Sequence, residues 1–155
     1  MITFLPSPTF TVCAKALDPV RLISQVHETA ILLRAILAGE KVGQPAYDMW
    51  RGHPGHLAIY GTVMAGEFNI RFGNNHADRS LFLAHLPDWF FNEQIFDKKR
   101  DPAWLGDRRL HLSHIRRLFE KDPNYYAKWA DIGKHPYVAC CVGCNYWWPT
   151  HAGVV

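Results

Sequence analysis

Proline and glycine divide this chain into segments of helical length, and this punctuation constrains the fold more than any other feature of the sequence. Asp18-Pro19 is typical of a helix start, because aspartate accepts hydrogen bonds from free amide N–H groups and proline suits the first helical position. Apolar side chains then recur at helical spacing before Gly39, namely Leu22, Val26, Ala30, Leu33 and Leu37. The pattern predicts one long amphipathic helix that starts at Pro19 and stops at Gly39.

A second long helix is predicted to begin at His53-Pro54 and to end at Gly73. Its apolar stripe consists of Leu57, Tyr60 and Met64. A short third helix is expected over residues 76–86, because Pro87 follows and cannot continue a helix.

Asp107 is expected to cap a fourth helix over residues 108–121, and Asp122-Pro123 starts a short helical turn after it. The predicted core face of the fourth helix comprises Leu112, Ile115, Leu118 and Phe119. Three segments are expected to be irregular: an extended N-terminal arm (1–16), a loop (87–106) and an aromatic C-terminal tail (135–150). Since no segments show the alternation of β-strands, the sequence predicts a compact all-α fold in one domain spanning residues 1–155.

The composition excludes a disordered chain, because 48% of the 155 residues are hydrophobic and only 20% are charged. No apolar run approaches the ~18 residues of a membrane-spanning helix. The first ten residues also lack the basic start and long apolar stretch of a secretory signal. We therefore expect a soluble, cytoplasmic protein without a membrane partner. We also expect the protein to be a monomer.

Positive charge is concentrated between residues 98 and 121, where eight Lys or Arg residues stand against three acidic ones, although the net charge of the whole chain is only +3. Such a block favours a polyanionic partner. The alternative is a solvated helix face held by salt bridges.

The chain has four cysteines. Cys13 stands alone, whereas Cys140, Cys141 and Cys144 fall within five residues. Cys141 and Cys144, with His135 and His151, have some of the spacing of a zinc site, and a zinc-stapled tail for protein contact is one alternative function. The second pair at regular spacing is missing, so the sequence favours free thiols, no metal and no cofactor.

Glu28 is the main candidate for chemistry on the first helix. Arg21, Gln25 and Glu28 share one row at positions i, i+4 and i+7, and His27 flanks the glutamate. A carboxylate in that setting can act as a general acid or base or stabilise a cation. An exposed ion pair is the structural alternative.

The fourth helix and the residues after it suggest a nucleic-acid surface. Basic side chains suit phosphates, and flat aromatic rings stack on bases. The predicted DNA-binding residues are Arg21, Gln25 and His27 on the first helix, and His111, His114, Arg117, Lys121, Tyr125, Tyr126 and Trp129 on and after the fourth. Each aromatic residue could instead belong to the core.

Three stretches resemble the pyrimidine-dimer DNA glycosylases of the phage endonuclease V type, and more closely their small bacterial relatives. The stretches are residues 17–42, MWRGHPGHLAIYG (49–61), and WLGDRRLHLSHIRRLFEKDPNYY (104–126), the last followed by Pro136-Tyr137 and Trp148-Pro149. Together they cover about half of the chain in the expected order.

The resemblance implies an all-α enzyme that kinks double-stranded DNA and flips a damaged or modified nucleotide out of the helix. It also implies that an amine attacks C1′ to form a Schiff base, that a helix-borne glutamate at the position of Glu28 supports the reaction, and that β-elimination then cuts the strand.

The sequence departs from the family at its start, because Met1-Ile2 replaces the small second residue that family members expose. The candidate nucleophiles are therefore the amine of Met1, the amine of Ile2 and the side chain of Lys15, or a water activated by Glu28. A further departure is His114, which falls where the family uses arginine, and residues 139–148 form an insertion. A non-catalytic DNA-binding module on the same scaffold is the alternative function.

Overall fold

A computed structural model describes residues 3–73, 86, 101–129 and 148–149, and within these residues it contains helices and no strand. The helices are α1 (Phe10–Ala16), α2 (Pro19–Leu37), α3 (Pro45–Trp50), α4 (Pro54–Phe72) and α5 (Arg108–Lys121), with 3₁₀ turns at Ala103–Gly106 and Ala127–Trp129. The all-α fold predicted from the sequence is confirmed. None of the described helices is long and apolar enough to cross a membrane.

The helix ends follow the capping residues in the sequence. Asp18 Oδ1 accepts from the Arg21 N–H at 3.0 Å at the start of α2, and Asp107 Oδ1 accepts from the Arg109 N–H at 2.8 Å at the start of α5. Gly73, which follows α4, has φ of +84°, a left-handed conformation that favours glycine. The predicted bounds of these long helices are therefore confirmed.

The prediction of an extended arm over residues 1–16 is wrong for residues 10–16, which form α1. This helix buries Cys13 and Ala14 against α4. Arg71 of α4 binds carbonyl groups at the C-terminal end of α1, donating to Ala14 O at 3.1 Å and to Leu17 O at 2.7 Å. These contacts across the chain stabilise a helix too short to be marked by periodicity.

The core lies mainly between α2 and α4, with α1 packed on α4. Its fully buried large side chains include Leu22, Leu33, Trp50, Leu57, Tyr60 and Met64. From α5, Ile115 and Leu118 are buried as predicted, whereas Leu112 and Phe119 are only partly buried and Leu110 is fully buried. The predicted third helix, apart from Leu86, lies outside the described residues, as do residues 87–100 of the predicted loop and 135–147 of the tail.

Candidate active site around the N-terminal arm

The arm (residues 3–9) enters the core instead of lying on the surface. Thr3, Phe4 and Leu5 are each no more than 5% exposed. Thr3 Oγ1 accepts from Trp50 Nε1 of α3 at 2.8 Å. Because buried backbone groups need hydrogen-bond partners, the neighbouring helices must supply them.

Gln25 of α2 and Tyr60 of α4 bind the backbone of Phe4. The Phe4 N–H donates to Gln25 Oε1 at 2.7 Å, and the Tyr60 hydroxyl lies 2.8 Å from Phe4 O and 2.7 Å from Gln25 Oε1. Gln25 is fully buried. The prediction that Gln25 belongs to an exposed DNA-binding row is therefore wrong, because its amide faces the arm.

His111 and His114 of α5 bind the next residue of the arm. The Leu5 N–H donates to His114 Nδ1 at 2.9 Å, and His111 Nδ1 lies 2.7 Å from Leu5 O. Burial, and next the charge of His111, lowers the pKa of His114 to about 3. Both rings are buried, so the prediction that they line a surface row for phosphates is wrong.

Glu28 lies one turn beyond Gln25 on the same side of α2 and is half-buried. Burial, and after it the nearby Cys13 and Glu28, raise the pKa of the Tyr60 hydroxyl. Glu28 is therefore close enough to the arm network to act on it electrostatically. His27, next to it, is exposed.

Arg21 lies on α2 with Gln25 and Glu28, and its guanidinium pairs with the cap residue of that helix. Arg21 NH1 lies 3.0 Å from Asp18 Oδ2. The structure therefore places the Gln25 amide at the arm and directs Arg21 to Asp18.

Of the candidate nucleophiles, the structure describes only the side chain of Lys15. Met1 and Ile2 lie outside the described residues. Lys15 is exposed on the last turn of α1. Cys13 was not among these candidates; it is fully buried, and burial raises the pKa of its thiol to about 12, which makes it a poor nucleophile.

The described ranges hold no group of three or more His, Cys, Asp or Glu side chains suited to a metal ion. The cysteines and histidines of the alternative zinc site, Cys140, Cys141, Cys144, His135 and His151, all lie outside the described residues.

The aromatic residues after α5 divide between the core and the surface. Tyr126 is fully buried, and its hydroxyl donates to Asp18 Oδ2 at 2.6 Å and accepts from the Asp18 N–H at 3.0 Å. Its predicted role in stacking on bases is therefore wrong. Trp129 is partly buried and stacks on Tyr126 with a ring distance of 5.1 Å, whereas Tyr125 is 44% exposed.

The described part of the basic block is largely salt-bridged. Arg117 NH1 lies 2.6 Å and Arg116 Nε 2.8 Å from Glu120, and Arg109 pairs with Asp107 at 2.7 Å. Lys121, by contrast, is exposed at the end of α5. The charge pattern alone did not show these pairs, which match the alternative of a salt-bridged helix face.

A pocket of about 310 Å³ lies between the α3–α4 turn and the 3₁₀ turn before α5. Its lining residues are Asp48, Met49, Arg51, Gly52, His53, Trp104 and Pro149. The Trp104 ring contacts the Trp50 ring at 4.9 Å, and Trp50 in turn binds Thr3, so the pocket adjoins the arm. Within this pocket, burial, and next the charge of His56, lower the pKa of His53. The sequence did not predict the pocket because the segments that line it are about fifty positions apart along the chain.

Comparison with known proteins identifies the family. The family model described as pyrimidine dimer DNA glycosylase matches residues 1–80, slightly more than half of the chain. Searches of curated proteins and of solved structures give no match. The matched residues include the arm, Gln25, Glu28 and Tyr60, but not α5. The enzymes of this family act on DNA, and the chain described here belongs to the pyrimidine dimer DNA glycosylase family.

Proposed function

We propose that this protein removes a damaged or modified pyrimidine from double-stranded DNA, with an α-amine at the start of the chain as nucleophile and Glu28 as the assisting carboxylate. The buried arm is the observation that carries the proposal. It leads the backbone inward, next to the helix that bears Glu28.

Covalent geometry limits where such an amine can lie. An extended chain spans ~3.5 Å per residue, so an α-amine on Ile2 lies within ~7 Å of Phe4 N and one on Met1 within ~10 Å. Phe4 N is bound to Gln25, and side chains three residues apart on a helix, such as Gln25 and Glu28, have Cβ atoms ~5–6 Å apart. Both amines therefore have the carboxylate of Glu28 within their covalent reach.

The chemistry favours an α-amine over Lys15. An α-amine has an ordinary pKa of ~8 and a lysine one of ~10.4, so a larger fraction of the α-amine is unprotonated near neutral pH. Lys15 is also exposed on α1.

The first step forms one bond to C1′ and breaks another. The amine lone pair attacks C1′, the glycosidic bond breaks, and the base leaves with that electron pair and takes up a proton. Loss of the amine proton and opening of the C1′–O4′ bond, with a proton going to O4′, leave a Schiff base. Glu28 stabilises the positive charge on the sugar and accepts a proton.

A lyase step would follow from the Schiff base. Removal of a C2′ proton from the Schiff base gives an enamine. Its electrons then form a C2′=C3′ double bond and expel the 3′ phosphate with the C3′–O electron pair, so the strand is cut by β-elimination. A base stacked in a duplex shields C1′, so we further propose that the nucleotide is flipped out before attack. The aromatic pocket beside Trp104 offers a surface for a flat ring.

Glu28→Gln tests the proposal, with Glu40→Gln as the matched control because Glu40 is exposed just after α2. We expect Glu28→Gln to lower the single-turnover rate of base release from duplexes carrying pyrimidine dimers or oxidised pyrimidines by ~10²-fold or more, with DNA affinity unchanged. Glu40→Gln should behave as wild type.

Two outcomes would contradict the proposal. Undiminished base release by Glu28→Gln would remove the assigned role of the carboxylate. Binding of every duplex without release of any base by the wild-type protein would favour the non-catalytic DNA-binding module. Mass spectrometry of the borohydride-trapped adduct distinguishes Met1, Ile2 and Lys15 as the attached residue.

A further inference from the structure

Two histidines of α5 take both backbone hydrogen-bonding groups of Leu5. The Leu5 N–H donates to His114 Nδ1 at 2.9 Å, and Leu5 O faces His111 Nδ1 at 2.7 Å. The two histidines are three positions apart and so share one side of the helix. Together they bind both the backbone N–H and the backbone C=O of the arm, as a neighbouring β-strand does in a sheet.

The environment of His114 makes it a neutral acceptor. Its Nδ1 receives the Leu5 N–H, so this nitrogen carries no proton. The Phe4 ring meets it edge-on at 6.2 Å and the Trp148 ring at 5.8 Å. A ring enclosed in this way has little freedom to move away from the arm.

His111 lies between two backbone carbonyl groups. Its Nδ1 lies 2.7 Å from Leu5 O and its Nε2 lies 2.7 Å from Leu105 O. The ring therefore links the arm to the 3₁₀ turn that precedes α5.

We propose that His111 and His114 are positioning residues that set the depth of the arm, and with it the position of the proposed amine nucleophile. The inference rests on the proposed amine chemistry. It assigns a role to α5, which lies beyond the part of the chain matched by the family model.

The contact between Leu5 and the two histidines should affect the reaction rate because Leu5 is close in sequence to the candidate amines. Leu5 is only three or four residues from the candidate amines, so a shift of the arm at Leu5 moves the amine by a similar amount. A misplacement of 1 Å can lower a rate by roughly 10²-fold. DNA affinity should depend little on the same contact because both histidines are buried.

The test measures the rate at which borohydride traps wild-type and variant proteins on a duplex with one abasic site. We expect His114→Leu to lower this rate by at least ~10-fold, and His114→Asn to recover part of it because an amide oxygen can replace Nδ1 as acceptor. Ser113→Ala is the control, since Ser113 is buried on the same helix but its hydroxyl donates to Leu110 O. DNA affinity and urea unfolding are measured in parallel.

A second variant does not require the leucine variant to fold. His111→Asn keeps one donor for Leu5 O but loses the ring nitrogen that faces Leu105 O. We expect this variant to lower the trapping rate while DNA affinity stays unchanged. A merely structural role would leave the trapping rate of the folded variant at the wild-type value.

The possible failures are distinguishable. If the wild-type protein forms no adduct, the amine chemistry of the proposed function is wrong, and this inference falls with it. If the wild type forms the adduct but folded His114→Leu and folded His111→Asn react equally fast, the positioning role is wrong and the proposed function stands.

Discussion

Replacing Tyr126 with phenylalanine separates the structural role of this side chain from the base-stacking role that the sequence suggested. The hydroxyl joins the segment after α5 to the start of α2, because it donates to Asp18 Oδ2 at 2.6 Å and accepts from the Asp18 N–H at 3.0 Å. Phenylalanine keeps the ring that stacks on Trp129 and removes only these two hydrogen bonds.

The structure supports an estimate of the loss. A hydrogen bond to a charged group contributes ~1.5–3 kcal/mol, and a buried N–H left without a partner costs ~1–3 kcal/mol. Arg21 still binds the Asp18 carboxylate, so the two losses overlap. We expect the free energy of unfolding to fall by ~2–4 kcal/mol for Tyr126→Phe.

The neighbouring tyrosine provides the control. Tyr125 is 44% exposed, and its hydroxyl donates to Leu17 O at 3.3 Å, so Tyr125→Phe should lower the free energy of unfolding by less than ~1 kcal/mol. Urea unfolding followed by circular dichroism measures both changes. A Tyr126→Phe protein within ~0.5 kcal/mol of wild type would refute the assigned role of the buried hydroxyl.

The remaining predictions concern pH and backbone conformation. Burial opposes ionisation of Asp18, but hydrogen bonds from Tyr126 and Arg21 outweigh it and lower its pKa, and hydrogen bonds from Arg109 lower the pKa of Asp107. The stabilisation from both ionised carboxylates is fully present above their ordinary pKa of 3.8 and should be lost as pH falls through their lower pKa values in the folded protein. Urea unfolding midpoints measured from pH 6 to pH 2 will show this loss. Gly66→Ala, at an open helical position of α4, should stabilise the protein by ~0.5–1 kcal/mol. Gly73→Ala, at φ of +84°, should destabilise it by ~1 kcal/mol, and thermal unfolding measures both changes. Equal shifts for both glycines would contradict the backbone argument.

The sequence predicted the long helices well because the signals that begin and end a helix act locally. Asp18, Asp107 and Gly73 each act within a few residues of the helix end that they mark. The short helix α1 was missed for the opposite reason. Its C-terminal carbonyl groups are bound by Arg71, more than fifty positions later in the chain.

The candidate site shows the same limit of local signals. Glu28 was singled out through a helical row and a family motif, and it lies one turn beyond Gln25, which binds the arm. Gln25, His111 and His114 were predicted to contact DNA because polar and basic side chains along one helix row suit phosphates. They are buried because each binds the backbone of the arm.

Local order along the chain was thus determined by the sequence itself: the starts and ends of the long helices, their apolar stripes and the all-α class. Only the tertiary structure decided which polar side chains lie inside. The physical reason is that a helical hydrogen bond joins residues four apart, whereas the arm and α5 meet across 106 to 109 positions. A polar side chain is stable in the core only when such a distant partner satisfies it, and the pattern of residues around it does not show that partner.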